Sequence, residues 1–176
     1  FRTMERKASE VIAADLRLTS TKSPDAAYET LATQNGIETA RTVSFPSVVF
    51  FGEESSISAV RAASPGYPLR GRVKISDAPF TPARETDALP GRGEAWLDSR
   101  LLARLGAGIG DRVNVGASSF TVTQVLDYRP DQGSAFVDLA PSLLIPLADL
   151  EATELLGPGS RATYSVLFAG TPAAVR

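Results

Sequence analysis

The 176-residue chain contains no cysteine and no histidine. Without cysteine there is no disulfide, no thiolate nucleophile and no thiolate-bound metal. Without histidine the Ser-His-Asp arrangement, the commonest general base and the commonest transition-metal ligand are all lost. Few enzyme chemistries survive both absences. Aromatic residues are sparse, at 7% with a single Trp, and neither sign of charge dominates: 18 Lys and Arg against 20 Asp and Glu leave a net charge of −2. No global field draws such a chain to nucleic acid or an anionic membrane, so no nucleic-acid partner is expected. Long apolar runs are missing too. Val48-Val49-Phe50-Phe51 is among the longest, far short of the roughly 20 residues a membrane-spanning helix needs. Phe1-Arg2-Thr3-Met4 leads into charges and not into a signal-peptide core. The start without an initiator Met, and the stop at Ala173-Ala174-Val175-Arg176 where a helical pattern begins, read as a fragment of a longer protein.

What is present suits a folded domain: 43% hydrophobic and 22% charged residues. Met4, Ala8, Val11 and Ile12 recur at helical spacing among Glu5, Arg6, Lys7 and Glu10, which predicts an amphipathic helix. Ala14 to Thr19 alternates and reads as a strand. Ser23 with Pro24 opens a second helix, Gly36 closes it, and Ala27, Tyr28, Leu31 and Ala32 form its expected buried stripe. From Glu38 to Ile75 the signal is β: Ala40 to Ser44 and Ser47 to Phe51, interrupted at Pro46 by a bulge or an edge, then Ile57 to Ala62 and Leu69 to Ile75. Ser76 to Gly93, rich in Pro, Gly and Asp, reads as a connection between lobes. Beyond it come a strand at Glu94 to Leu97, a helix capped by Asp98 or Ser99 and ended by Gly106, and strands at Arg112 to Val115, Phe120 to Tyr128 and Leu143 to Pro146. A helix over Ala148 to Leu156 and a strand over Ala162 to Ala169 complete the order. The resulting fold class is α+β, with a small β-rich insert projecting from a split sheet.

Candidate chemistry is thin. Gly106-Ala107-Gly108-Ile109-Gly110 ends a helix instead of starting one and lacks a following Lys, so it reads as a cap and turn and not as a phosphate loop. Asp127, Asp131, Asp138, Asp149, Glu151 and Glu154 read as solvated loop and helix-start charges, not as a cation site. Ser55, Ser56, Ser118 and Ser119 have no evident base. No catalytic, cofactor or metal residue is assigned. Arg70, Arg72 and Lys74 would share one face of an alternating strand, either solvated or facing an acidic partner or lipid headgroups. Phe45, Phe50 and Phe51 are either core or part of an apolar groove for cargo or a second protein. Trp96 is expected in the core of the small lobe.

Several stretches stand out in order along the chain: Ala13-Ala14-Asp15-Leu16-Arg17-Leu18, Ala40-Arg41-Thr42-Val43-Ser44-Phe45-Pro46-Ser47, Gly66-Tyr67-Pro68-Leu69-Arg70-Gly71 and Gly93-Glu94-Ala95-Trp96-Leu97-Asp98, followed by Leu105-Gly106 with Ile109-Gly110-Asp111 and by Pro158-Gly159-Ser160-Arg161. Taken together and in this order, they resemble the first extracytoplasmic domain of YbbP-type ABC transporter permeases, in the wider family with FtsX, MacB and LolC. The resemblance implies a split porter-like α/β lobe from residues 15–75 and 141–176, with a sabre-like β-rich insert at 76–140. Residues 1–14 would be the top of a stalk helix. It also implies a periplasmic domain of an inner-membrane protein, with no cofactor of its own and no enzymatic activity. A cytoplasmic ABC ATPase subunit would drive it through the rest of the permease, to move lipid or other hydrophobic cargo. The alternative is a docking domain that binds and regulates a periplasmic hydrolase. Phe45, Phe50, Phe51, Arg70, Arg72 and Lys74 stand as the candidate partner or cargo contacts.

Overall fold

Inward-facing Val43, Phe45 and Val49 alternate with outward-facing residues along one long strand, β2 (Glu38–Phe51), which the Gly52–Glu53 turn joins to β3 (Glu54–Ala63). Pairing runs unbroken from Thr42↔Ala63 to Phe51↔Glu54 and passes through Pro46 opposite Ala59. On its other side β2 meets β10 (Thr163–Ala169) only up to Ser44, and β7 (Arg112–Val115) only from Val49. Pro46 therefore sits where β2 is locally an edge, the place a residue without an N–H is tolerated. There is no bulge.

The computed structural model describes residues 13–130, 140–157 and 161–170. The predicted stalk helix lies outside them apart from Ala13 and Ala14, which form a turn, and Asp131 and Asp138 lie outside them as well. The remaining elements are β1 (Leu16–Ser20), α1 (Ala27–Gln34), β4 (Val73–Ser76), β5 (Arg84–Thr86), β6 (Glu94–Leu97), α2 (Ser99–Leu105), β8 (Ser118–Tyr128) and β9 (Ser142–Pro146), giving a mixed, sheet-rich α+β fold.

Strands β2, β3, β9, β6, β8 and β7 close on themselves, because β7 pairs with both β8 and β2. The ring encloses Val43, Phe45, Val49, Val60, Leu97, Val113, Val115, Phe120, Val122 and Ile145, and α2 adds Leu101, Leu102 and Leu105 to that cluster. Each of those leucines is buried to 2% exposure or less, and each contributes about 1.5–3 kcal/mol of transfer free energy. Asp98 caps α2 through Leu101 N–H (2.8 Å) and with its other oxygen accepts Ser142 N–H (2.8 Å), so the cap also pins β9. Gly106, at φ 66°, closes the helix as expected.

A second cluster lies on the outside of the ring, where Ala40, Ala63, Tyr67, Val73, Ile75, Trp96, Leu126 and Leu144 pack with Ala13 and Ala14. Strand β8 contributes to it by slipping one residue: Ala95 faces Val122 but Trp96 faces Gln124. Val122 and Val125 can then both point inward while Leu126 points out. The slipped residue, Thr123, accepts the Trp96 indole N–H at 3.1 Å. Strands of 76–140 thus hydrogen-bond directly to strands of the flanking segments, in one sheet of order β1-β10-β2-β3-β9-β6-β8-β4-β5.

Four local expectations need correction. The helix predicted from Ser23 begins at Ala27. Asp25 accepts Ala27 N–H (2.9 Å), while Ser23 Oγ and Pro24 O receive the Arg41 guanidinium. The predicted helix over Ala148 to Leu156 is a pair of single 3-10 turns, Leu147–Asp149 and Glu151–Thr153. Glu154 stops it at φ 57°, and Thr153 O is committed to Ala117 N–H in the β7–β8 turn. Of the strand expected over Leu69 to Ile75, only Val73 onward pairs, and the connection from Ser76 to Gly93 contains the short β5. Finally, the stripe on α1 is not buried: Ala32 is, but Tyr28 and Leu31 are exposed.

Candidate functional site

Among the described residues no three Asp, Glu, His or Cys side chains converge as metal ligands. No described helix is long and apolar enough to cross a membrane. Ser119 bonds the Asn114 side chain and Ser56 the Ile57 carbonyl. The Gly106–Gly110 run is spent on structure: Ala107 N–H closes α2 on Leu102 O, Gly108 N–H is taken by Asp111 Oδ2 (2.8 Å), and Gly110 N–H by Val122 O (2.8 Å). Asp149 joins the 3-10 turn to the loop before β6, accepting Arg92 Nε–H (2.6 Å) and Gly93 N–H (2.8 Å). Asp127, Glu151 and Glu154 do not gather around it into a cation site.

The six candidate contact residues do not form one surface. Phe45 is 6% exposed and turned into the ring, Phe51 is half-buried against the same cluster, and Phe50 on the opposite face is 47% exposed. Arg70 lies before β4 and is engaged by Asp15 (2.8 Å). Arg72 pairs with Asp87 and Glu85, and Lys74 stands 5.7 Å from the Tyr128 ring centroid. A stretch that lacks acids in sequence acquires them from residues 15, 85 and 87, so the basic side chains have internal partners.

An apolar concavity lies elsewhere, between α1 and the outer edge of the described sheet. Among the described strands β1 pairs with β10 alone, Leu16 beside Phe168 and Leu18 beside Val166. Helix α1 is held over this face from one side, by Arg41 Nε donating to Glu29 Oε1 (2.6 Å) and by buried Ala32. Its other side overhangs β1 and leaves a groove of about 450 Å³ lined by Leu16, Leu18, Tyr28, Leu31, Ile37 and Phe168. Leu16 (61%), Leu31 (62%) and Tyr28 (50%) form exposed walls, while Leu18, Ile37 and Phe168 form a half-buried floor. Two of the polar side chains at the rim are already committed: Asn35 donates to Leu31 O (2.8 Å), and Asp15 accepts from Arg70 and Gly170 N–H. What remains to meet a ligand is mostly hydrocarbon, with the Tyr28 hydroxyl beside it. Sequence periodicity identified Tyr28, Leu31, Leu16 and Leu18 as apolar faces but assigned the helix pair to the core.

A second apolar surface is flat. Val48 and Phe50 on β2 and Ile57 opposite Val48 on β3 are each more than two-fifths exposed on the outside of the ring, next to exposed Pro46.

A family profile described as the MacB-like periplasmic core domain matches residues 3–174. An Escherichia coli (strain K12) relative, described as an uncharacterized ABC transporter permease YbbP, is 26% identical over 167 residues, 95% of this chain and 20% of that protein. This chain thus spans about a fifth of that relative's length. Two solved structures share the fold. The extracellular domain of the noncanonic ABC-type transporter YknZ from Gram-positive bacteria superimposes with a TM-score of 0.58 at 13% identity, over 91% of this chain and 87% of that one. The periplasmic region of MacB from Actinobacillus actinomycetemcomitans does so with a TM-score of 0.54 at 15% identity, over 89% of this chain and 70% of that one. With a fold similar to theirs and a profile match over nearly its whole length, the chain belongs to the MacB-like periplasmic core domain family.

Proposed function

We propose that this domain is the non-catalytic periplasmic part of an ABC transporter permease, in which a cytoplasmic ATPase subunit drives the movement of a hydrophobic or lipid-like cargo. The observation that carries this reading is the groove between α1 and β1. Its volume of about 450 Å³ falls in the range of small-molecule sites, about 300–1,000 Å³. Its open walls are Leu16, Tyr28 and Leu31, and no uncommitted charge opposes an alkyl chain. Each methylene moved from water into such a site gains about 0.8 kcal/mol when fully covered. A groove open along one side covers it partially, so cargo can be held and released without unfolding anything. The lobe division proposed with it puts residues 15–75 and 141–176, which build the groove, in a porter-like lobe and residues 76–140 in a sabre-like one. No cofactor takes part.

A second reading, a docking domain for a periplasmic hydrolase, is favoured by the flat strip of Val48, Phe50 and Ile57, which suits a protein surface better than an acyl chain. One experiment separates them. The full-length permease with its ATPase, in lipid nanodiscs, is photolabelled with a diazirine-bearing fatty-acyl phospholipid, and the labelled peptides are mapped by mass spectrometry. Labelling concentrated on Leu16 to Leu18 and Tyr28 to Ile37 is the expected result. Label absent from these peptides overturns the cargo reading. Label there that persists with Leu16 and Leu31 both changed to Gln does so as well, because the adduct then reports proximity and not an apolar site.

A further inference from the structure

The start of β1 and the end of β10 meet at one point. Asp15 N–H donates to Phe168 O at 2.9 Å, and Gly170 N–H donates to Asp15 Oδ2 at 3.2 Å. Arg70, from the loop between β3 and β4, closes over both. Its Nε and Nη2 grip the two oxygens of Asp15 at 3.0 and 2.8 Å, Nη2 also reaches Gly170 O at 2.9 Å, and Nη1 bonds Leu69 O at 2.9 Å. A fork-to-fork pair of this kind fixes angle as well as distance, which a point charge does not. The backbone adds to it: Ala13 O accepts both Leu69 N–H (2.9 Å) and Arg70 N–H (3.0 Å).

Ala13 itself stands at φ 61°, a left-handed conformation that is unfavourable for a residue with a Cβ. It is held there by those bonds and by complete burial against the cluster around Tyr67. Side chains of Arg70 and Asp15 are 35% and 21% exposed, so the pair is only partly screened by water. Three stretches far apart in sequence, 13–15, 69–70 and 168–170, are thereby tied into one node, although β1, paired on one side by β10, is an edge strand among the described residues, where shear is easiest.

We infer that Arg70 is a positioning residue that locks the start of β1 and the end of β10 together, so that displacement of either is passed to the sheet as one rigid movement. Without the lock, β1 can slide on β10 and the groove walls on β1 move independently of α1. The inference deepens the permease reading and rests on it for its transport arm, but not for its structural arm.

The test uses the full-length permease with its ATPase, carrying Arg70→Gln, Arg70→Lys or the milder Asp15→Asn. Hydrogen exchange in wild type is expected to protect the amides of Asp15, Leu69, Arg70 and Gly170. In Arg70→Gln and Asp15→Asn they should exchange about tenfold faster while those of Val122 and Leu144 stay unchanged. In proteoliposomes with an NBD-labelled phospholipid, lipid moved per ATP hydrolysed should fall about fivefold in Arg70→Gln and recover in part in Arg70→Lys. A mere loss of folded protein would lower both quantities together and leave their ratio alone. Unchanged exchange at the node overturns the lock. Faster exchange with an unchanged ratio overturns its coupling role. Wild type that moves no lipid refutes the lipid-cargo reading and leaves the lock to stand or fall on the exchange data.

Discussion

Replacing Leu31 by Gln separates what the groove does from what the fold needs. Leu31 is 62% exposed on the overhanging side of α1, and Leu and Gln have nearly equal helix propensities. Folding stability should therefore change by no more than about 0.5 kcal/mol, the usual range for surface positions. Binding should change far more. Full burial of a leucine contributes about 1.5–3 kcal/mol, and an acyl chain lying in the groove would cover most of the 62% that folding leaves open. That fraction corresponds to about 1–2 kcal/mol, or a loss of affinity of about 5–30-fold. The assay is a fluorescence titration of the full permease with a pyrene-labelled fatty acid, paired with a thermal melt of the same sample. Affinity within a factor of about 2 of wild type, with an unchanged melt, would refute the assignment of the groove as an apolar site.

Two further perturbations test the frame around it. Gly116→Ala in the β7–β8 turn should destabilise the domain by about 2–5 kcal/mol in chemical denaturation: the position has φ 57°, and its Cβ would collide with Thr153 O and come within 2.6 Å of Leu155 Cγ. Gly157→Ala, with nothing near its would-be Cβ, is the control and should stay within about 0.5 kcal/mol. Phe45→Ala should cost about 3–5 kcal/mol because it empties the inside of the ring. Phe50→Ala should cost about 1 kcal/mol or less, yet abolish any pull-down of a periplasmic partner that uses the flat strip. Equal costs for the two phenylalanines would mean that the hairpin faces are reversed.

The elements that could be read from the chain are those whose causes are local. Arg112 to Val115 and the start of Phe120 to Tyr128 alternate, Glu94 to Leu97 is a short apolar run after Gly93, and they are strands β7, most of β8 and β6. Asp98 and Gly106 bracket α2 because capping bonds span three or four residues. The ordered likeness to the FtsX, MacB and LolC permeases was legible for the same reason: it resides in turns and caps whose residues are adjacent in sequence. Ala148 to Leu156 misleads the same local reading, because its apolar spacing is helical while its Thr153 carbonyl is required by the backbone of Ala117.

The sequence by itself determined the α+β class, the order of most elements, the lack of cysteine and histidine chemistry, and the family to which the residues point. The tertiary structure alone decided which apolar faces are covered. Leu31 and Tyr28 carry the same periodic signal as buried Leu101 and Leu102. They differ because α2 plugs a closed ring, while α1 overhangs a sheet that ends at β1. The same holds for charge. Arg70 stands in a stretch without acids, and its carboxylate comes from Asp15, 55 residues away. Periodicity reports which face of an element is apolar, but where a sheet stops and which loops close over it are set by pairings between distant strands, and no local pattern encodes those.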